Sequence, residues 1–579
     1  MKLVNLTIDG KNVQAAPGTS ILDTARNAGI RIPTLCYLKG LNDIGACRMC
    51  VVEVEGSDEL RSACNTAVED GMVIHTNSRV VRDSRRTSLE LILSDHPFVC
   101  PTCTRNKTCD LQKLAEELDI SMYYDFYGNP VAALRGAPSC HPMDDSGYSI
   151  VRDPAKCIKC YRCVAVCEKL QSVNAIRADE NGFDTTIVPS VGTRLTDTDC
   201  VSCGQCVRAC PTAALQVRDD TRKVREAIAD PEKIVLVQVA PSVRAAVGES
   251  FGLAPGSIQT GHLVSALRRL GFDKVFDTNF GADLTIMEES HELLERLQSG
   301  KNLPMFTSCC PAWVRFTEEF YPDRVSHMST CKSPQQMFGA AAKTWYAEMI
   351  GCAPEKIVCV SVMPCTAKKT ELQRPELSRD GLKDVDISIT AVELARMLKQ
   401  DGIDLLSLPE EEFDGLLGES TGAAAIFGAT GGVMEAALRT AAALSDGSDA
   451  QIDFVSVRGF DGLREAAVTI GGKALKVAMV YGLANARKLL DAMQAGKTDY
   501  SFVEVMSCPG GCVGGGGMPP LHELEEIEKR ADAIYCIDRN KPIRRSHENP
   551  AIKQLYSEFL GEAGSRTAHA LLHTTYGEG

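Results

Sequence analysis

The opening LVNLTIDGKNVQAA alternates apolar and polar residues on either side of Asp9-Gly10. A period of two predicts two strands, and Asp-Gly between them predicts a two-residue turn, so the chain starts with a β-hairpin. From about residue 230 the pattern changes. KIVLVQVA predicts a strand, HLVSALRRLG a helix, KVFDTN a strand and 283–298 a helix, a βαβ-like succession expected to continue to about 525 as one α/β domain. Residues 527–579, ending in SEFLGEAGSRTAHALLHTTYGEG, predict a small helical appendage that wraps the large domain. No apolar run approaches the roughly 18 to 20 residues of a membrane-spanning helix, and the N-terminus lacks the features of a signal peptide. A cytoplasmic protein without a membrane partner is the expectation.

Composition sharpens this picture. The 579 residues carry a formal charge of -14, which argues against nucleic acid as a partner, and they include 25 cysteines. In a reducing compartment, cysteines at C-x-x-C spacing point to metal rather than to disulfides.

The cysteines divide the first 220 residues into modules. In 1–78, Cys36, Cys47, Cys50 and Cys64 suit a 2Fe2S cluster, with structural zinc as the alternative. In 79–125, SDHPFVCPTCTRNKTC offers His96, Cys100, Cys103 and Cys109, a set that fits zinc as well as a 4Fe4S cluster with one imidazole ligand. In 140–220, CIKCYRCVAVCE and CVSCGQCVRACP both carry the C-x2-C-x2-C-x3-C run of two-cluster ferredoxins, in which the fourth cysteine of each run serves the other cluster. One 4Fe4S cluster is then expected on Cys157, Cys160, Cys163 and Cys210, and the other on Cys200, Cys203, Cys206 and Cys167. The first run has Glu168 where a proline usually follows. The glycine-rich pieces FGATGGVM and CVGGGGMPP lack the spacing of a phosphate loop.

The large domain has cysteines of its own in TSCCPAW, MPCTAKKTE and EVMSCPGGCVGGGG. With these three segments the sequence closely resembles the FeFe-hydrogenases over essentially its whole length. The resemblance implies an α+β multidomain fold: a 2Fe2S ferredoxin-like β-grasp, a 4Fe4S module with one histidine and three cysteines, a two-cluster ferredoxin-like module, a large α/β H-cluster domain and the helical appendage. It implies an H-cluster, a 4Fe4S cube joined to a two-iron centre that carries carbon monoxide, cyanide and a bridging dithiolate. Its ligands would be Cys310, Cys365, Cys508 and Cys512, with Cys512 as the bridge. One 2Fe2S and three accessory 4Fe4S clusters would complete the set, leaving Cys140, Cys309, Cys331, Cys352, Cys359 and Cys536 unassigned.

By the same resemblance Cys309 faces the open iron and passes protons along a relay of Glu289, Ser329 and Glu292, with Arg296 near the exit. Glu289 and Glu292 stand at i and i+3 and so share a helix face. Without the resemblance, that acidic run reads as solvated surface. A shuttle must lose and regain a proton, which a thiol with an ordinary pKa near 8.5 does at modest cost. Lys368 and Ser242 correspond to donors toward the cyanides, and Pro241, Gln335, Met363, Phe427 and Met506 to pocket wall. Two positions depart from the family pattern: Ala312 stands where glycine often follows the proline, and Cys331 adds a thiol beside the relay. The implied activity is reversible interconversion of dihydrogen with protons and electrons. Implied partners are a ferredoxin or a flavin-containing NAD(P)-linked subunit, and maturation enzymes for the two-iron centre. The rival readings are an electron-transfer subunit like the iron-sulfur subunit of respiratory complex I, a hydrogen sensor, and a cytosolic iron-sulfur assembly factor.

Overall fold

The computed structural model describes residues 3–97, 99–120, 142–446, 458–459, 461–520 and 523–577. Cys140, and the ends of the two modules expected to meet across 121–141, lie outside the described residues.

The expected hairpin is present as Val4–Ile8 and Lys11–Ala15 in register Ile8↔Lys11. Asp9 and Gly10 have φ of 47° and 78°, the paired positive values that let a two-residue turn follow the twist of its strands. Three more strands complete a five-stranded sheet, and the helix Ile21–Asn27 buries Ile21, Leu22 and Ala25 with Ile8 and Ile74. The cysteine-rich module that follows is built from two small two-stranded sheets. Its short helices Arg162–Ala165 and Gln205–Ala209 each begin within a C-x-x-C-x-x-C run.

The large domain holds two four-stranded sheets. In the first, Lys274–Asp277, Ile234–Val239, Ile357–Met363 and Ile387–Thr390 run parallel in that order. In the second, Met305–Phe306, Phe502–Met506 and Lys473–Tyr481 run parallel, and Leu463–Ile470 pairs antiparallel at the edge. The helix expected over 283–298 begins five residues earlier, spanning Thr278–Ser299. Asp277 ends its strand and caps the helix by accepting from the Asn279 N–H, and Arg244 clamps the same carboxylate at 2.7 and 3.1 Å. The polar Thr278-Asn279 pair therefore starts a helix rather than a loop. Gly300, at φ 69°, closes the other end.

The C-terminal helices Leu524–Asn540, Pro550–Leu555 and Arg566–Leu572 pack onto this domain. Arg530 is wholly buried; it pairs with Glu249 at 2.6 Å and donates to the carbonyls of Val513 and Pro519, both at 2.8 Å. Asp538 accepts from Arg439 at 3.0 Å. No helix among the described residues is long and apolar enough to cross a membrane.

Candidate active site

Parallel strands leave their loops together at their carboxyl ends, and the crevice there is where such sheets bind ligands. Both sheets of the large domain point these ends at one cavity. Ala240, Pro241 and Ser242 follow Ile234–Val239, and Pro364 and Cys365 follow Ile357–Met363. From the other sheet Cys309 and Cys310 follow Met305–Phe306, and Ser507 and Cys508 follow Phe502–Met506. Every residue predicted for the cluster and its wall lines this cavity: the cysteines 309, 310, 365, 508 and 512, with Pro241, Ser242, Gln335, Met363, Lys368, Phe427 and Met506.

The paired cysteines differ in backbone position. Cys310 is the N-cap residue of the helix Pro311–Phe320. It sits within charge range of Cys365, Cys508 and Cys512. Burial pushes the Cys508 thiol up to about 11 and raises those of Cys365 and Cys512 as well, so a cationic centre would be needed for these three to exist as thiolates. Two further observations fit the implied cluster. The Ser242 hydroxyl is buried with no hydrogen-bond partner in the protein, a donor aimed at something else. Lys368 is buried, held by Glu371 at 3.0 and 3.1 Å and by the Cys309 carbonyl at 3.1 Å, so a fixed positive charge faces the cavity.

Cys309 leads outward. Its thiol is raised well above the ordinary value by burial and by the charge of Glu289. By sequence an ordinary thiol near about 8.5 is expected; in the structure burial places it well above that value. Glu289 is pushed up to about 8 by burial and by the charges of Glu292 and Glu504, and it faces the Ser329 hydroxyl. Ser329 donates to Glu292 Oε2 at 2.7 Å, and Arg296 donates to Glu292 Oε1 at 2.6 Å and to the carbonyls of Asn302 and His327. Glu289 is 1% and Glu292 9% exposed, which removes the solvated-surface reading of this helix face.

The two C-x2-C-x2-C-x3-C runs cross as expected. Cys157, Cys160, Cys163 and Cys210 line one small cavity, and Cys167, Cys200, Cys203 and Cys206 line another. Nearer the N-terminus Cys36 faces Cys47 and Cys50 faces Cys64. His96, Cys100, Cys103 and Cys109 fall in a turn-rich stretch between the helices Arg79–Ser94 and Asp110–Glu117. Around one zinc ion, sulfurs bound at about 2.3 Å would lie under about 4 Å apart. Among the described residues the one group of three His, Cys or acidic donors within 4.8 Å of one another lies elsewhere, at Glu292, Cys331 and His573.

The amino-terminal sites converge on the Cys157 site. Asn42 donates to the carbonyls of Cys36 and Cys160 at 2.7 and 3.0 Å, and Lys159 pairs with Asp95, beside His96, at 2.8 Å. The Cys200 site abuts the active cavity, with Cys203 in charge range of Cys508. A Cβ on Gly516 would stand 2.7 Å from the Gly204 backbone. The glycine run CVGGGG thus serves close backbone approach between two modules, not phosphate binding.

A family profile described as iron only hydrogenase large subunit, C-terminal domain, matches residues 233–516, and one described as iron hydrogenase small subunit matches 524–578. The NADP-reducing hydrogenase subunit HndD of Solidesulfovibrio fructosivorans is 50% identical over 100% of this chain and 99% of its own length. The chain belongs to the iron-only hydrogenase family. Iron hydrogenase 1 of Clostridium pasteurianum is 41% identical over 99% of both chains. A solved apo variant of the [FeFe]-hydrogenase HydA1 from Chlamydomonas reinhardtii is 44% identical, with a TM-score of 0.56 over 62% of this chain and 99% of its own. Profiles for a 2Fe-2S iron-sulfur cluster binding domain, the NADH-ubiquinone oxidoreductase-G iron-sulfur binding region and a 4Fe-4S dicluster domain match 1–79, 85–122 and 156–226. This hydrogenase is therefore an iron-sulfur protein with accessory electron-carrying domains.

Three supporting residues of the hydrogenase escaped the sequence reading. Glu371 anchors Lys368 and also accepts from Ser333 at 3.1 Å and Gln335 at 2.8 Å; its signal was the i, i+3 spacing in KKTE. Ser507 lies 3.3 Å from Cys310 Sγ. Arg530 clamps the glycine-rich loop from the C-terminal segment, and no local spacing announces a pair that spans 281 residues.

Proposed function

We propose that this hydrogenase interconverts dihydrogen with two protons and two electrons at an H-cluster that Cys310, Cys365, Cys508 and Cys512 would hold. When bound, that cluster supplies the chemistry of making and splitting dihydrogen. Ser242 and Lys368 would donate to its anionic ligands and fix its orientation. Pro241, Gln335, Met363, Phe427 and Met506 keep water away. Cys309 holds a proton at Sγ and exchanges it with Glu289, after which Ser329, Glu292 and Arg296 lead to the surface.

The observation that carries this reading is the continuity of cavity and relay: the cavity holding the four-cysteine set also holds Cys309, and Glu289 stands behind Cys309. An electron carrier or an assembly factor needs no such path. Electrons would travel through the 2Fe2S site (Cys36, Cys47, Cys50, Cys64) and the site of His96, Cys100, Cys103 and Cys109. Both would feed the Cys157 cluster, then the Cys200 cluster, then the cube. Among the described residues no three of these donors lie within 4.8 Å of one another, which favours clusters over single zinc ions. The likeness to an NADP-reducing hydrogenase subunit supports a flavin-containing NAD(P)-linked partner, with ferredoxin as the alternative. A soluble, cytoplasmic setting suits both.

The test uses protein matured with the dedicated enzymes. Cys309→Ala should keep the carbonyl and cyanide infrared bands and lose turnover by about 100-fold or more in a reduced-dye assay, the scale of a lost general acid. Cys310→Ala should lose the bands themselves. Near-normal hydrogen evolution by Cys309→Ala would sink the shuttle.

A further inference from the structure

Cys331 is fully buried beside the relay, and the C-terminal segment brings a histidine to it. Cys331 and His573 pair as an isolated antiparallel bridge, flanked by Lys332 N–H to the Leu572 carbonyl and Thr574 N–H to the Thr330 carbonyl, both at 2.8 Å. Glu292 faces them from the Thr278–Ser299 helix. One ligand atom from each of Glu292, Cys331 and His573 lies within 4.8 Å of the other two.

The histidine is oriented as a ligand would be. Its Nε2 stands 2.9 Å from Glu288 Oε2, on a carboxylate that also accepts from Tyr556 and from the Gly564 N–H at 3.0 Å. That carboxylate can only accept, so Nε2 carries the hydrogen. Nδ1 faces the Thr330 hydroxyl at 2.7 Å, which a metal ion on this nitrogen would displace. A carboxylate behind one imidazole nitrogen is the usual support for a metal on the other.

We propose that Glu292, Cys331 and His573 bind a divalent metal ion of the zinc class, and that the bound ion stalls proton transfer. The proposal rests on the relay assigned to Glu292 above. One sulfur, one nitrogen and one oxygen donor, with a fourth position left for water, suit zinc or cadmium and not magnesium or calcium. Binding releases the Cys331 thiol proton, so two anionic ligands meet the dication. Arg296, 2.6 Å from the other oxygen of Glu292, opposes the ion; Glu288 and Glu289, both in charge range of Cys331, offset that repulsion. An ion on Glu292 Oε2 takes the oxygen that Ser329 uses, which breaks the wire at its narrowest point. The exposed ring of His569 stacks on His573 at 4.1 Å and marks the approach from solvent.

Matured holoenzyme freed of loose metal with a chelator would be exposed to zinc chloride alone, desalted, and assayed for retained zinc, iron content and hydrogen evolution. The same would be done with Cys331→Ser and His573→Gln. The wild type should retain one more zinc per chain than either variant, with iron unchanged. Its turnover should fall about 100-fold and recover with chelator. Both variants should evolve hydrogen at the wild-type rate without zinc and need at least about 100-fold more zinc for inhibition. Equal zinc retention in all three proteins would overturn the site. An extra zinc without loss of turnover would overturn its coupling to the relay. Failure of the hydrogenase reading itself would show differently, as no hydrogen evolution from the metal-free wild type.

Discussion

Replacing Glu289 by glutamine should raise stability and abolish activity together, with a pH dependence that identifies the group. Burial and the neighbouring carboxylates move this carboxyl from 4.5 to about 8. Between these values the folded protein holds a proton that the unfolded chain has lost, so the native state binds more protons and stability falls as pH rises. The slope is about 1.4 kcal/mol per pH unit, which amounts to about 3 kcal/mol at pH 7 and about 4 kcal/mol at pH 8. Glutamine removes this cost. Its amide places a donor where one oxygen of Glu289 has no partner, and an unsatisfied buried donor costs about 1 to 3 kcal/mol. The net gain at pH 8 is therefore about 1 to 3 kcal/mol; it vanishes at about pH 6 and becomes a net loss toward pH 5, where the carboxyl costs less than about 1 kcal/mol. The amide cannot ionise, so hydrogen evolution should drop about 100-fold or more. Apparent melting temperatures of both proteins, taken anaerobically at one scan rate from pH 6 to 9, would be compared with dye-driven hydrogen evolution. A stability difference that does not change with pH would refute the protonated carboxyl, and turnover within tenfold of wild type would refute its place in the relay.

Two other perturbations test the architecture around the site. Arg530→Ala leaves Glu249 buried without its partner and frees two loop carbonyls, so it should destabilise the large domain by about 3 to 5 kcal/mol and lower cube retention; an unchanged denaturation midpoint would contradict the clamp. Gly516→Ala puts a methyl 2.7 Å from the Gly204 backbone, forcing the ferredoxin-like module away. Ferredoxin-driven turnover should fall and the magnetic coupling between the two nearest clusters weaken in electron paramagnetic resonance, and an unaltered spectrum would argue against the contact.

What the sequence disclosed follows from the range of each interaction. The Asp9-Gly10 hairpin and the two cysteine runs are local patterns, and the structure keeps both, down to the crossing of Cys167 and Cys210 between sites. The start of the Thr278–Ser299 helix differs from the expectation because its cap, Asp277, is fixed by Arg244, 33 residues away. Glu289 and Glu292 read as surface by composition; only tertiary packing buries them, and only the resemblance to hydrogenases singled them out. Burial likewise decides the protonation of Cys309, which spacing along the chain does not encode. Glu371 and Arg530 were missed because their work is done through Lys368 and through a distant loop.

The C-terminal segment is gripped at points spread along its length: Arg530 on Glu249, Asp538 on Arg439, and Tyr556 and His573 on Glu288. Its continuity with the rest of the chain adds an effective concentration in the millimolar range. For a surface with this many buried anchors such a tether is redundant, since a free segment binding below about micromolar would be nearly saturated in a cell that makes both pieces. Two polypeptides made by dividing the chain ahead of Leu524 are accordingly expected to find each other and rebuild the same contacts with Glu249, Arg439 and Glu288. One gene or two is then a matter of dosage and assembly order rather than of fold.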